Sequence, residues 1–287
     1  MRLSSLIDNF SYFGNPFQIA FRLAFSRNGV MKISDRKTGV TVDAAVDSYR
    51  MFKETWYGHD YDVPACPLRK NDAVIDIGAN QGFFSCYAAS KGARVHAFEP
   101  FPESYLRLRS NIERNDFSSL VTAVQVGVSA AYGKVSMNCS DYLGGGANTI
   151  VEAHASALKK EHVADFGKTI EIETIPMDAA LSTIAGRIRL CKMDCEGSEF
   201  DLIRGISDPS RIDSIAMEFH PGAYSLQDLV AIMTKWGTHQ IGFSKSAYVL
   251  YAVRNEILYE HCANIDLGLL PFQPVNQTIH SDMSLVR

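Results

Sequence analysis

The sequence predicts an α/β fold, a mostly parallel sheet with helices on both faces. Two segments carry that expectation, VIDIGANQGFFS at 74–85 followed by VHAFEP at 95–100, and LCKMDCEGSEFDLIRG at 190–205. Around them, short apolar strand-like runs alternate with helix-like segments at the spacing of parallel strands joined by helical crossovers.

In the first segment an apolar run ends in Asp76, a turn bearing Gly78 and Gly82 follows, a helix-compatible stretch comes next, and a second run ends in Glu99. Such a strand-turn-helix-strand unit suits a nucleotide-like ligand. Glycines let the backbone approach it, and free N–H groups at the helix start meet a carboxylate or phosphate. Glu99, at the strand tip, is placed to accept hydrogen bonds from two ribose hydroxyls. The turn reads Gly78-Ala79-Asn80-Gln81-Gly82 and lacks the G-x-G-x-x-G that makes room for a pyrophosphate. It suits a smaller ligand with an adenosine end and an amino-acid end, which points to S-adenosylmethionine. The turn, with Gly78, Asn80 and Gly82, then meets the methionine part, and Asp76 accepts from its ammonium directly or through water. For the glycines alone, an ordinary tight strand-helix turn is the alternative.

The elements follow in order. Pro16 opens a helix that places Phe17, Phe21, Ala24 and Phe25 on one face, expected to pack on the core or a partner, with contact at a membrane surface as the alternative. MKISDRKTGVTVD reads as a β-hairpin turning at Lys37-Thr38-Gly39. VDSYRMFKETWYGHDY reads as an aromatic-rich helix ending near Gly58, either a lid over the ligand or a helix packed on the sheet. From Asp72 come strand AVIDIG, helix QGFFSCYAASK, strand RVHAFEP, helix PESYLRLRSNIERND and strand VTAVQVGVS. At 133–176, GKVSMNC and TIEIETI form an added β-pair around a glycine loop at 144–146 and a helix-like EAHASALKKEHVADFG. Strand RIRLCKMD, helix SEFDLIRG, strand IDSIAMEFH, helix SLQDLVAIMTKWG and strands HQIGFSK and YVLYAVR complete the pattern. The expected organisation is an N-terminal extension over 1–65, a main domain over 66–255 carrying the 133–176 insertion, and a C-terminal tail over 256–287.

A chain of 287 residues with a formal charge of −4 has no general attraction for nucleic acid or an anionic membrane. Six cysteines without a C-x-x-C pair indicate neither a zinc site nor a disulfide framework, and fit reduced thiols in a cytoplasmic protein. The N-terminal stretch is interrupted by Asp8, Asn9, Asn15, Pro16 and Arg22, so neither a signal peptide nor a membrane span is expected.

In open α/β sheets ligands lie beyond the carboxyl ends of the strands, where strand order reverses. The polar residues there are Asp76, Asn80, Glu99, Gln125, Asp194, Glu196, Glu218 and His220. Lys192, Asp194 and Glu196 alternate, so all three can point to one side, though a strand-end ion pair explains them as well. Glu199 suits the positive end of the following helix, which is structural reason enough for it.

IDIGANQGFFS, HAFEP, TIPMDAAL and above all KMDCEGSEFDLIRG resemble the FkbM family of S-adenosylmethionine-dependent methyltransferases, over roughly 72–221. The resemblance implies the class I, Rossmann-like methyltransferase fold with a seven-stranded sheet. It places the family's lysine-x-aspartate-x-glutamate-glycine segment on Lys192, Asp194, Glu196 and Gly197. It implies methylation of hydroxyls on secondary metabolites, polyketides or sugars, and leaves the acceptor open.

Methyl transfer from a sulfonium chiefly needs proximity, alignment and a site emptied of water, and an alcohol acceptor also needs a general base. His220 is the first candidate base, Asp194 the second, and Glu218 completes the catalytic set. The cofactor set is Asp76, Gly78, Asn80, Gly82, Glu99, Pro100, Gln125, Asp194 and Glu196, with Phe98 and Pro100 flanking the adenine. No metal is expected. Glu196, Glu218 and His220 offer oxygen and imidazole ligands, but their spacing enforces no geometry. Tyr57, His59 and Tyr142 are candidate acceptor contacts. The expected partner is a small-molecule acceptor, with a homo-oligomer left open. The rival readings are an N-methyltransferase, a nicotinamide-dependent oxidoreductase and a silent binding module.

Overall fold

The computed structural model describes residues 11–25, 29–63, 65–140, 146–161, 163–220, 223–244 and 248–262. Helix α1 (Pro16–Phe25) leads into the hairpin of β1 (Val30–Ser34) and β2 (Thr41–Ala45), antiparallel across the expected turn. The aromatic segment runs as a 3-10 turn, Val46–Ser48, then α2 (Tyr49–Lys53) and a wider π turn, Glu54–Gly58, ending where His59 adopts φ 56°.

The main sheet begins with β3 (Ala73–Ile77), followed by α3 (Phe83–Ser90), β4 (Arg94–Phe98), α4 (Pro102–Arg114) and β5 (Val121–Val124). Then comes β6 (Gly127–Ser129), and the 133–176 insertion holds β7 (Gly133–Ser140), α5 (Glu152–Lys160) and β8 (Phe166–Pro176). Helix α6 (Met177–Ser182), β9 (Leu190–Met193), α7 (Glu199–Arg204), β10 (Ser214–Glu218), α8 (Leu226–Lys235), β11 (His239–Ser244), β12 (Val249–Arg254) and α9 (Asn255–Cys262) follow. Seven strands pair in the order β11-β12-β10-β9-β3-β4-β5, parallel from β10 to β5, with β12 antiparallel to both its neighbours. Strand order reverses between β3 and β9. This is the class I, Rossmann-like methyltransferase architecture.

Alternation along the buried strands splits the core between the two faces of the sheet. Val74, Leu190, Ala216 and Tyr251 face α3 and the N-terminal aromatics Phe13, Phe52 and Trp56. Ile75, Cys191, Ile215 and Leu250 face α6, α7 and α8 through Met177, Leu202 and Leu229. Side-chain amides join the N-terminal hairpin to α4 and to the turn before α3: Ala45 N donates to Gln81 Oε1 at 2.8 Å, Asp43 N to Asn111 Oδ1 at 2.7 Å and Thr41 N to Asn115 Oδ1 at 2.8 Å. These amides satisfy the free edge of β2, which otherwise would expose a row of backbone donors. Trp56 Nε1 donates to Phe83 O at 3.1 Å, fixing the aromatic segment on α3.

Four local expectations change. The stretch expected as one strand over 121–129 breaks at Gln125-Val126, and β6 joins β7 and β8 in a separate three-stranded sheet. In α1 the face expected to pack on the core or a partner does not pack on the core: Phe17 is 75 %, Phe21 63 % and Phe25 78 % exposed, while Ile19 is buried on the other side. The segment after Arg254, read as an aperiodic tail, starts as α9, with Ile257 and Leu258 buried. His220 stands two residues beyond the end of β10 rather than at its last position. Five cysteines, Cys66, Cys86, Cys139, Cys191 and Cys195, are free thiols, and among the described residues no helix is long and apolar enough to cross a membrane.

Candidate active site

At the reversal point the turn after β3 and the end of β9 meet backbone to backbone. Gly78 has φ 71°, and a Cβ there would lie 1.8 Å from Asp194 O, so only glycine fits. Gly82 has φ 83° and starts α3; a Cβ there would meet Leu108 Cδ1 at 2.5 Å. Packing against backbone therefore requires glycine at 78, whereas at 82 it is chiefly the positive φ that favours it. Gly78 also lines the site, whereas Gly82 lies outside the lining of both cavities described below.

A cleft opens over the β3 and β4 ends, lined by Gly78, Asn80, Phe98, Glu99, Pro100 and Asp194, with Gly127 and Val128 from β6 opposite. The Glu99 carboxylate accepts Asn80 N at 2.7 Å on Oε2 and Phe101 N at 2.8 Å on Oε1. Burial pushes its pKa up to about 7, against the pull of those two backbone donors. Asn80 has φ 49°, and its buried Oδ1 has no hydrogen-bond partner among the described residues. A buried acceptor left open on the lining of a cleft favours a ligand that brings a donor. Gln125, expected to help wall the adenine, is exposed and lines neither cavity, because the chain leaves the main sheet there.

Beneath the turn lies Asp76, 0 % exposed, accepting from Ser85 Oγ at 2.6 Å and paired with Lys192 Nζ at 3.2 Å. Its expected direct contact with a ligand ammonium is closed off by that burial. Lys192 carries the connection instead: its Nζ donates to Gly78 O at 2.7 Å and lies 3.7 Å from Asp194 Oδ2. Burial works to lower the Lys192 pKa, but Asp76 and Asp194 more than offset it and the net shift is upward.

The cleft leads into a larger cavity of about 940 Å³, and Met51, Gly78, Asn80, Gly146, Asp194 and Glu196 line both. Three expected catalytic residues meet on its wall. Tyr61, from the N-terminal extension, places its hydroxyl 3.0 Å from both Asp194 Oδ2 and Glu218 Oε2. A single hydroxyl proton serves one of the two, so the second contact requires a proton on a carboxylate. Burial, with Asp194 adding to it, pushes the Glu218 pKa up to about 8. Glu218 therefore suits the role of the protonated partner, donating to the Tyr61 oxygen while Tyr61 donates to Asp194.

His220 Nε2 lies 3.7 Å from Asp194 Oδ1 and 3.6 Å from Glu196 Oε2, and its Nδ1 lies 3.0 Å from Glu199 Oε1. The last contact has the distance of an ion pair without the alignment of a hydrogen bond. Burial works to lower the His220 pKa, yet Glu199 and Glu196 outweigh it and hold the ring toward imidazolium. Glu199 is 0 % exposed and accepts Cys195 N at 2.7 Å, Gly197 N at 3.0 Å and the Tyr224 hydroxyl at 3.0 Å. It orients His220, which the helix-end reading of Glu199 missed. Lys192, Asp194 and Glu196 all line the large cavity, but not through simple strand alternation: β9 ends at Met193, the chain kinks at Glu196 with φ 51°, and Glu196 turns to His154 Nε2 at 3.2 Å.

The extension supplies walls as well as Tyr61. Met51, Arg50, Glu54 and Thr55 line the large cavity while Phe52 and Trp56 pack in the core. Tyr57 and His59 stand elsewhere: Tyr57 donates to Asp35 Oδ1 at 3.0 Å, and His59 Nδ1 lies 2.9 Å from the Tyr87 hydroxyl. Tyr142 lies outside the described residues. Tyr61 and His154 gave no signal in the sequence beyond being polar residues in an aromatic stretch and in an insertion.

A family model described as Methyltransferase FkbM domain matches residues 76–241. Methyltransferase sdnD of Sordaria araneosa is 30 % identical over 57 % of this chain and 70 % of its own length. The 31-O-demethyl-FK506 methyltransferase FkbM of Streptomyces tacrolimicus is 26 % identical over 65 % of this chain and 80 % of its own. A solved FkbM methyltransferase structure from Methylobacillus flagellatus KT is 18 % identical, with a TM-score of 0.44, over 83 % of this chain and 58 % of that one.

Proposed function

The chain belongs to the FkbM methyltransferase family, and we propose that it uses S-adenosylmethionine to methylate a hydroxyl on a small molecule. The observation that carries this reading is that Asp194, one of the six residues lining both the Glu99 cleft and the large cavity, is a carboxylate whose second oxygen the Tyr61 hydroxyl holds. Donor and acceptor can therefore meet at a carboxylate. The residues present fit the cofactor. Glu99 would take the ribose hydroxyls, Phe98 and Pro100 would flank the adenine, and the open acceptor of Asn80 would face the amino-acid end as it passes Gly78. Bound there, the cofactor supplies an activated methyl group.

The protein's own work is to align, to exclude water and to accept a proton. Asp194 is the proposed base, facing both cavities with its other oxygen set by the Tyr61 hydroxyl. Glu218 holds Tyr61 in place, and His220, kept as imidazolium by its carboxylates, adds positive charge to the wall rather than taking the proton. A hydroxyl acceptor fits better than an amine because the cavity supplies a base. The small-molecule acceptor is supported by the Streptomyces tacrolimicus relative, a 31-O-demethyl-FK506 methyltransferase.

The test is calorimetric titration with S-adenosylmethionine, S-adenosylhomocysteine and nicotinamide dinucleotides on the wild type and Glu99→Ala, followed by a labelled-methyl acceptor screen. Binding of the two adenosyl ligands alone, weakened in the variant, supports the reading. Tight binding of a dinucleotide would overturn it in favour of an oxidoreductase.

A further inference from the structure

We propose that His154, Glu196 and His220 form a binding site for a divalent first-row transition ion in the wall of the large cavity. The three come from separate parts of the chain: His154 from α5 in the insertion, Glu196 from the kink after β9, and His220 from beyond β10. Their ligand atoms lie within 4.8 Å of one another, with His154 Nε2 at 3.2 Å and His220 Nε2 at 3.6 Å from the same oxygen, Glu196 Oε2. Donor atoms held at about 2.1 Å from one ion stand roughly 3.0–3.5 Å apart, so a small closing movement completes the set.

Burial singles these groups out from an ordinary acidic patch. His154 is 2 % and His220 8 % exposed, the two rings meet edge to face at 5.2 Å, and both line the cavity. Both Nε2 atoms turn to the one carboxylate oxygen, Glu196 Oε2. Two imidazoles buried together beside a carboxylate are costly unless something engages their nitrogens. The surroundings of His220 add a second feature. Its Nδ1 faces the buried Glu199 at 3.0 Å, while Nε2 faces the cluster. A carboxylate behind one ring nitrogen is the arrangement that sets the tautomer of a metal-binding histidine, and an ion bound at Nε2 would displace the proton that the imidazolium otherwise carries there.

Two nitrogens and one oxygen suit manganese, iron, cobalt or zinc better than magnesium or calcium, which prefer oxygen throughout. Asp194 and Glu218 also lie within ligand range of His220, but the Tyr61 hydroxyl already engages both. Three protein ligands leave coordination positions open to the cavity. An acceptor hydroxyl bound there would lose its proton more readily. That proton passes to Asp194 as the oxygen forms its bond to the methyl carbon and the carbon–sulfur bond breaks, leaving a neutral thioether. This last step rests on the proposed methyl transfer, whereas ion binding does not.

The experiment is Co²⁺ titration of the chelator-stripped full chain, followed by visible absorption and calorimetry, with S-adenosylhomocysteine affinity measured on the same samples. One ion per chain with nitrogen-oxygen ligand-field bands is expected. His154→Ala and the volume-keeping His154→Gln should each weaken Co²⁺ binding at least tenfold and leave S-adenosylhomocysteine affinity and the melting temperature near wild type. His220→Gln should weaken it as well. The proposal is overturned if wild type shows no saturable binding, if both His154 variants bind as wild type does, or if a thiolate charge-transfer band places the ion on a cysteine. Co²⁺ binding without adenosyl-ligand binding would sink the methyltransferase reading and leave the ion site standing.

Discussion

A side chain on Gly78 would put its Cβ 1.8 Å from the carbonyl oxygen of Asp194, so the β3 turn and the end of β9 touch through bare backbone. That contact sets Asp194 at the junction of the two cavities. Gly78→Ala should cost at least roughly 3 kcal/mol, since it adds a backbone clash to an unfavourable positive φ. Gly39 has a similar φ of 75° with nothing within 4 Å of a Cβ, and Gly39→Ala should cost only about 1 kcal/mol. Urea unfolding of both variants checks this; equal costs would mean that the clash relaxes.

As the proposed ribose ligand, Glu99 should link cofactor binding to pH. Its folded-state pKa is raised from 4.5 to about 7, so the folded protein holds the proton more tightly than the unfolded chain. The resulting stability is fully present below about 4.5 and is lost as pH rises through about 7. Wild type should therefore lose melting temperature across that window more steeply than Glu99→Gln. Ribose hydroxyls donating to the carboxylate favour its ionised form, so binding of S-adenosylhomocysteine near pH ~6.5 should release a proton. Calorimetry in two buffers of different ionisation enthalpy reads that proton, and its persistence in Glu99→Gln would assign it to another group.

Tyr61→Phe removes the hydroxyl that lies between Asp194 and Glu218 and keeps the ring that packs near Phe84. The expected result is a fall in kcat of about 10- to 100-fold with unchanged affinity for S-adenosylhomocysteine. Single-turnover methyl transfer is the measurement, and an unchanged rate would remove Tyr61 and its carboxylates from the proton path.

Gln81 is 0 % exposed, accepts Ala45 N at 2.8 Å and donates to Ser48 Oγ at 2.7 Å. Gln81→Ala leaves both groups without these partners and should cost about 2–3 kcal/mol. Protease cleavage within 29–58 should become faster than in wild type. Unchanged cleavage would show that the aromatic packing alone holds the hairpin.

Much of the fold was legible because its signals are local. Buried strands such as 73–77 and 190–193 are short apolar runs, the turn after Asp76 carries its glycines, and Pro102 starts α4. The positions of Glu99, Asn80, Pro100 and Asp194 along the cleft follow from the strand-end rule once the parallel order is known. The rule failed at Gln125, where the chain departs to a second sheet, and at Asp76, whose strand-end position is real but covered by Lys192 and Ser85. The aromatic periodicity of 17–25 indicated a helix correctly, and of the packings expected for its aromatic face the one on the core does not occur, because hydrophobic spacing does not specify which neighbours are available.

The sequence by itself determined the alternation of strands and helices, the ligand-type turn and the acidic strand ends, since each depends on residues within one or two turns of chain. Only the tertiary structure decided which distant side chains complete the site. Tyr61 reaches Asp194 across 133 positions and Glu218 across 157, and His154 reaches Glu196 across 42. Such contacts leave no periodic trace in the chain. They arise because docking the N-terminal segment and the insertion on the sheet buries apolar surface, and that docking carries one tyrosine and one histidine to the carboxylates at the β9 and β10 ends.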